Sequence, residues 1–130
     1  MRFPVGRFLR FSLVGLSGVL VNQGVLYLST QFFLGEKLYL LAGVIATETA
    51  LLNNFAWNEL WTFRDKQYTG SVTRRFMKFH GSRILGILIG LSTLYLLTDV
   101  AGIFYLISNL VSIAVSTLVN YVTSDLWVWR

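Results

Sequence analysis

FSLVGLSGVLVNQGVLYLSTQFFL, the run from Phe11 to Leu34, contains no charged side chain. A hydrocarbon core roughly 30 Å thick is crossed by about 20 helical residues, so this run is long enough to span a membrane. Read with its basic start, the first crossing covers about Phe8 to Phe32. Similar segments follow at about Leu38 to Phe63, interrupted by Glu48, at Phe76 to Leu97, with Arg83 near its start, and at Ile103 to Trp129. The composition agrees: 55% of the 130 residues are hydrophobic and 13% charged, and mean hydropathy is +0.62. So few charges cannot cover a soluble domain. The expected fold is therefore all-α, an integral membrane bundle of four transmembrane helices forming a single domain over residues 1–130.

The stretch Met1 to Arg10 resembles the basic start of a signal peptide. The apolar run behind it is too long for one and shows no small-residue cleavage site, so a retained helix is expected. Gly35-Glu36-Lys37 and Thr98-Asp99-Val100-Ala101-Gly102 read as tight turns, and Arg64 to Thr73 as the one longer polar connection.

The charges suggest an orientation. Arg2, Arg7 and Arg10 precede the first crossing, and Arg64, Lys66, Arg74, Arg75, Lys78 and Arg83 surround the middle connection. With Arg130, ten of the eleven basic residues share one side, and Lys37 alone lies on the other. The positive-inside rule makes the shared side cytoplasmic, with both termini inside. The net charge of +5 is spread over the ends of apolar runs rather than along a polar face, which argues against nucleic acid and for anionic lipid or lipid-linked phosphate.

The chain also echoes itself. A shift of 68 places Arg7-Phe8-Leu9-Arg10-Phe11 on Arg75-Phe76-Met77-Lys78-Phe79, Leu26-Tyr27-Leu28 on Leu94-Tyr95-Leu96, and Thr30 on Thr98. A shift of 66 places Tyr39-Leu40 on Tyr105-Leu106, Asn54-Phe55 on Asn120-Tyr121, Leu60-Trp61 on Leu126-Trp127, and Arg64 on Arg130. The expectation is two parallel two-helix repeats, about 7–64 and 75–130, related by an axis along the membrane normal. Shared membrane grammar, with basic starts and aromatic ends, is the plainer alternative, but it leaves the matched Asn inside each second helix unexplained.

No catalytic constellation is visible. There is no Cys and His80 is the sole histidine, so thiolate sites, two-histidine metal sites and most triads are absent. Neither an enzyme nor a metal or cofactor is expected. Polar residues do line the crossings. Ser108, Ser112, Ser116, Asn120 and Ser124 recur every fourth position, Gly86 and Gly90 allow close approach, and Thr47, Asn54, Asn58 and Trp61 fall within one angular band at ~100° per residue. Packing accounts for most serines and glycines. Asn54, Asn58 and Asn120 are candidates for ligand contact, because an unpartnered amide is costly in hydrocarbon. Glu48 lies roughly 15 Å deep by helical rise, where an ionisable group points to function, a protonated packing residue being the alternative. Arg83 is placed to pair with Glu59 or Asp125, or to snorkel to a lipid phosphate. Arg7, Arg10, Arg74, Arg75 and Lys78 form a basic rim, a topology signal that also suits a phosphate. Trp57, Trp61, Trp127 and Trp129 sit at the same level.

Phe11-Ser12-Leu13-Val14-Gly15, then Asn54-Phe55 followed by Asn58-Glu59-Leu60-Trp61-Thr62-Phe63, with the echo Asn120-Tyr121 and Leu126-Trp127-Val128-Trp129, resemble the GtrA-like family. The resemblance covers nearly the whole chain. It implies a role in polysaccharide assembly in the cytoplasmic membrane, beside a glycosyltransferase that charges a polyprenyl phosphate with a sugar. Members of the family are thought to flip that lipid or to assist the transferase. Substrate contacts are then expected at Arg7, Arg10, Glu48, Asn54, Asn58, Arg75, Lys78, Arg83 and Asn120, and an oligomer or a lateral groove would make room for the sugar. One departure stands out. Where the family pattern is often basic, this chain has Glu59 and, in the echo, Asp125, so a phosphate contact there would move to Arg83 or Arg75. Two other readings stay open: a scaffold that recruits or orients the transferase, and a small proton-coupled exporter resembling the small multidrug resistance family, whose one supporting residue is Glu48.

Overall fold

The computed structural model describes residues 4–130; Arg2 lies outside the described residues. Among the described residues, four helices are long and apolar enough to cross a membrane: Val5–Leu34, Glu36–Thr62, Val72–Val100 and Tyr105–Val128. The chain is a multi-pass integral membrane protein, all-helical over its described residues. The α-helical parts are α1 (Val5–Leu28), α2 (Tyr39–Trp57), α3 (Val72–Tyr95) and α4 (Tyr105–Thr123). Each runs on into a π-helical turn, at Ser29–Leu34, Asn58–Thr62, Leu96–Val100 and Ser124–Val128 respectively.

Two compact units divide the chain at Met1–Asp65 and Lys66–Arg130. In the first, α1 and α2 form a hairpin turned at Gly35, whose φ of 77° suits a residue without Cβ. The buried face of α2 is Ala42, Ala46, Ala50 and Asn54, one small side chain per four residues, against Phe11, Val14 and Gly18 of α1. This corrects part of the angular band read from the sequence: Asn54 and Asn58 are buried, but Thr47 is exposed. The contact follows the row of every fourth residue, as small-xxx-small packing does, and winds away from Thr47.

In the second unit, α3 and α4 form a hairpin turned at Gly102, with φ 73°. α3 buries Arg75, Phe79, Ser82, Gly86 and Gly90, and α4 buries Ser108, Ser112 and Tyr121. Helix α3 begins four residues earlier than the expected Phe76, because the Ser71 hydroxyl accepts from the Arg74 amide at 3.2 Å and caps it. Arg74 and Arg75 therefore lie on the helix rather than before it.

Both hairpins close in the same way at the end that carries the basic residues. In the first, Phe11 meets Phe63 edge-on at 6.3 Å between ring centroids. In the second, Phe79 meets Trp129 at 5.8 Å. The π-turns seat these rings: the Phe63 amide donates to the Asn58 carbonyl and the Trp129 amide to that of Ser124. Phe63, Phe79 and Trp129 have no exposed surface. Elsewhere large apolar side chains face outward, among them Leu20, Phe33, Leu40, Leu60 and Leu110. A lipid solvent accommodates that surface and water would not.

Candidate functional site: an interhelical amide in each hairpin

One glycine faces one asparagine in each unit. A Cβ on Gly18 would run into the amide of Asn54, 2.7 Å from its Nδ2, and one on Gly86 would run into that of Asn120, 2.8 Å from its Cγ. The glycines are what allow a polar side chain to lie between the helices. These positions are related by the shifts of 68 and 66 found in the sequence.

The surroundings of the two amides differ. In the first unit, Asn53 Nδ2 donates to Asn54 Oδ1 at 3.3 Å and to Ser17 Oγ at 3.1 Å, and Ser17 Oγ donates to the Val14 carbonyl at 2.6 Å. In the second, the Asn120 amide is satisfied at both ends when its oxygen turns to the Arg83 guanidinium and its nitrogen to the α3 backbone: Oδ1 accepts from Arg83 Nη1 at 2.8 Å and Nδ2 donates to the Ser82 carbonyl at 3.1 Å. The Arg83 guanidinium lies over the Phe79 ring, 4.6 Å from its centroid. An arginine is thus held against an amide and an aromatic face inside a membrane-spanning hairpin. Position 15, which the shift of 68 pairs with Arg83, is Gly, so the first unit has no cation at the matching position.

Asn58 and Ser124 lie one turn further toward the basic end, and both are fully buried. Neither amide atom of Asn58, nor the Ser124 hydroxyl, has a hydrogen-bond partner among the described residues. In the same hairpin, a groove of about 500 Å³ is lined by Leu13, Val14, Ser17, Trp57, Leu60 and Trp61. Its walls are apolar with one hydroxyl and two indole rings. Ser112 and Ser116 donate instead to the Gly90 and Gly86 carbonyls at 2.5 and 2.9 Å, which makes them packing residues.

The basic rim is engaged within each unit. Arg7 and Arg10 lie 3.7 and 3.5 Å from the Asp65 carboxylate, and Arg10 donates to the Thr62 carbonyl at 3.1 Å. Arg75 is buried, donates to the Gly70 carbonyl at 2.7 Å and covers the Tyr68 ring. Lys78 lies 5.9 Å above the Trp127 ring. Lys66 pairs with Asp125 at 2.9 Å and also donates to that residue's carbonyl. Glu48 is exposed and lines a different groove, of about 440 Å³, with Leu40, Val44 and Thr47. Of the residues predicted from sequence, the structure brings Arg83 to Asn120, Arg7 to Arg10 around Asp65, and Asn54 within a turn of Asn58. Glu48 stays apart from these. Sequence reasoning missed Gly18, Asn53 and Ser17. Moving Gly86 back by 68 would have found Gly18.

Among the described residues, no group of three or more His, Cys, Asp or Glu could hold a metal ion.

Comparison with known proteins gives a consistent picture. Residues 10–129 match the family described as the GtrA/DPMS transmembrane domain. The chain is 39% identical over 125 residues to a dolichol-phosphate mannosyltransferase of Pyrococcus furiosus, an alignment covering 96% of this chain and 34% of that protein. The chain therefore spans about a third of that relative. It is 27% identical over 120 residues to the uncharacterized membrane protein YngA of Bacillus subtilis, covering 92% of this chain and 77% of that one.

Proposed function

Because the chain belongs to the GtrA/DPMS transmembrane-domain family, we propose that it moves a polyprenyl-phosphate-linked monosaccharide across the cytoplasmic membrane for cell-surface polysaccharide synthesis or glycosylation. The observation that carries this reading is Arg83, whose guanidinium sits inside the second hairpin against Asn120 and Phe79. A cation is expensive at that depth and marks a path for a charged group. Its forked donors suit a phosphate, and Lys78, one turn nearer the basic end, suits the approach. In the first hairpin, Asn54, Asn58 and the tryptophan-lined groove supply amides and flat rings of the kind a sugar headgroup meets, with Arg7 and Arg10 at the entrance. Glu48 adds a polar step at mid-depth. The prenyl chain stays in lipid throughout. The excess of basic residues on one side supports cytoplasmic termini, and the matched glycine–asparagine and aromatic contacts support two copies of one ancestral hairpin.

The test is lipid movement in liposomes. Purified protein should speed the equilibration of polyprenyl-phosphate mannose between leaflets, followed by periodate oxidation of the outward-facing sugar. Arg83→Leu should abolish the effect and Arg83→Lys should keep part of it. No acceleration by the wild type, where a control flippase succeeds, defeats the proposal.

A second reading is favoured by the Pyrococcus relative, of which this chain matches only 34%. There the chain would be a membrane scaffold that recruits or orients a polyprenyl-phosphate glycosyltransferase. Normal glycosylation in cells whose only copy carries Arg83→Leu would favour the scaffold over transport.

A further inference from the structure

Away from the basic rim, each hairpin has a groove at its turned end. In the first unit it is about 360 Å³ and includes Gln23, Tyr27, Thr30, Gln31 and Tyr39. In the second it is about 430 Å³ and includes Tyr95, Thr98, Asp99, Tyr105 and Asn109. Both volumes fall in the range of small-molecule sites, roughly 300–1,000 Å³. The shifts of 68 and 66 relate Tyr27 to Tyr95, Thr30 to Thr98, Gln31 to Asp99 and Tyr39 to Tyr105. Two grooves therefore present the same set of groups: two tyrosines, a threonine and a further hydrogen-bonding side chain.

Three threonines in π-helical turns, Thr30, Thr62 and Thr98, differ from those that fold back in the α-helices; Thr62 lies at the other end of its hairpin and lines neither groove. Thr49, Thr93 and Thr123 fold their hydroxyls back onto the carbonyl four residues earlier, at 2.7, 2.8 and 2.7 Å. Thr30 and Thr98 do not. Their Oγ1 atoms are buried and have no hydrogen-bond partner among the described residues. Both lie in π-helical turns, Ser29–Leu34 and Leu96–Val100, a local geometry that recurs at functional sites. A lone buried hydroxyl is costly, and here the cost is incurred twice at matched positions.

The chemistry of the walls selects the ligand. Among the described residues, no Lys, Arg or His lines either groove, so an anchored phosphate finds no charged donor there. An acyl chain would leave the threonine hydroxyls and the Gln, Asp and Asn side chains desolvated without partners. A neutral polyhydroxylated ring meets both needs: its C–H face lies on a tyrosine ring while its hydroxyls reach the amide or carboxylate and, once the threonine turns to a rotamer facing the groove, its hydroxyl. We propose that the turned end of each hairpin is a binding site for a neutral saccharide. The inference rests on the transport reading only in naming the source, a lipid-borne sugar received on the far side of the membrane from the basic rim.

Saturation-transfer NMR on the full chain in nanodiscs tests it, with methyl α-mannoside and methyl β-glucoside as probes. Transfer to the ring protons of at least one glycoside is expected. The double variant Thr30→Val with Thr98→Val, which keeps side-chain shape, should weaken it about two- to tenfold, the range for a lost hydrogen bond. Tyr27→Leu with Tyr95→Leu should abolish it. No transfer from either glycoside, or transfer unchanged in both variants, overturns the proposal. Short-chain prenyl-phosphate mannose should displace the glycoside, whereas the same lipid phosphate without sugar should not. Equal displacement by both would overturn a saccharide site. Displacement by neither would leave the site for free saccharide and remove the lipid-borne source. Absence of glycoside binding to the wild type alongside intact lipid movement in liposomes sinks this inference alone, and binding without lipid movement sinks the transport reading alone.

Discussion

A single methyl group tests how Asn54 is seated. Gly18→Ala places a Cβ against its amide, and overpacking of that kind costs about 1–3 kcal/mol, more than the ~1 kcal/mol gained when Ala replaces Gly in a helix. At Gly43 a methyl group would meet nothing within 4 Å, so Gly43→Ala keeps that gain. Thermal unfolding in detergent should rank Gly43→Ala above wild type and Gly18→Ala below it. Asn58 supplies the opposite experiment. Its buried amide has no hydrogen-bond partner among the described residues, and Leu has nearly its shape. Asn58→Leu should raise stability, by about 1–3 kcal/mol on the cost of an unsatisfied polar group, while slowing lipid transport if the amide serves the headgroup. A lower melting point would show that the amide is structurally needed.

At the scale of the helix, Ser112 and Ser116 tie α4 to the carbonyls of Gly90 and Gly86. Interhelical hydrogen bonds within membranes average about 0.6 kcal/mol, so Ser112→Ala with Ser116→Ala should cost roughly twice that, read as a small fall in melting temperature. A large loss would mean the serines do more than pack. The four crossings were legible in the sequence because hydropathy sums over some twenty residues and tolerates local errors. The ends were not. Helix α3 starts at Val72 because Ser71 caps it, and each crossing finishes in a π-turn that no apolar pattern announces. Within the site, Arg83, Asn54, Asn58 and Asn120 stood out as polar residues in apolar runs. That Asn120 receives Arg83 depends on the register of α3 against α4, which a linear sequence does not state. Likewise the ion pair of Asp125 with Lys66 depends on how the middle connection folds back onto the end of α4. Thr47 looked equivalent to Asn54 on an ideal helix, and only the winding contact row separates them.

For the molecule as a whole, the prediction concerns direction. The chain contains no Cys, so single cysteines report sidedness cleanly. Gln67→Cys should react with an impermeant maleimide only after the cytoplasmic face is opened, and Lys37→Cys in intact cells; the reverse pattern would invert the topology expected from the basic residues. The ties that finish each hairpin also have a consequence for how the gene can be arranged. Arg7 and Arg10 reach Asp65, while Lys66 reaches Asp125 and the Thr69 amide donates to the Arg130 carbonyl. Cutting the peptide bond between residues 65 and 66 severs none of these. Two separately translated halves, each with its own arginines or lysines to orient insertion, would each retain a complete set of closing contacts, so a split into two cistrons is compatible with this architecture.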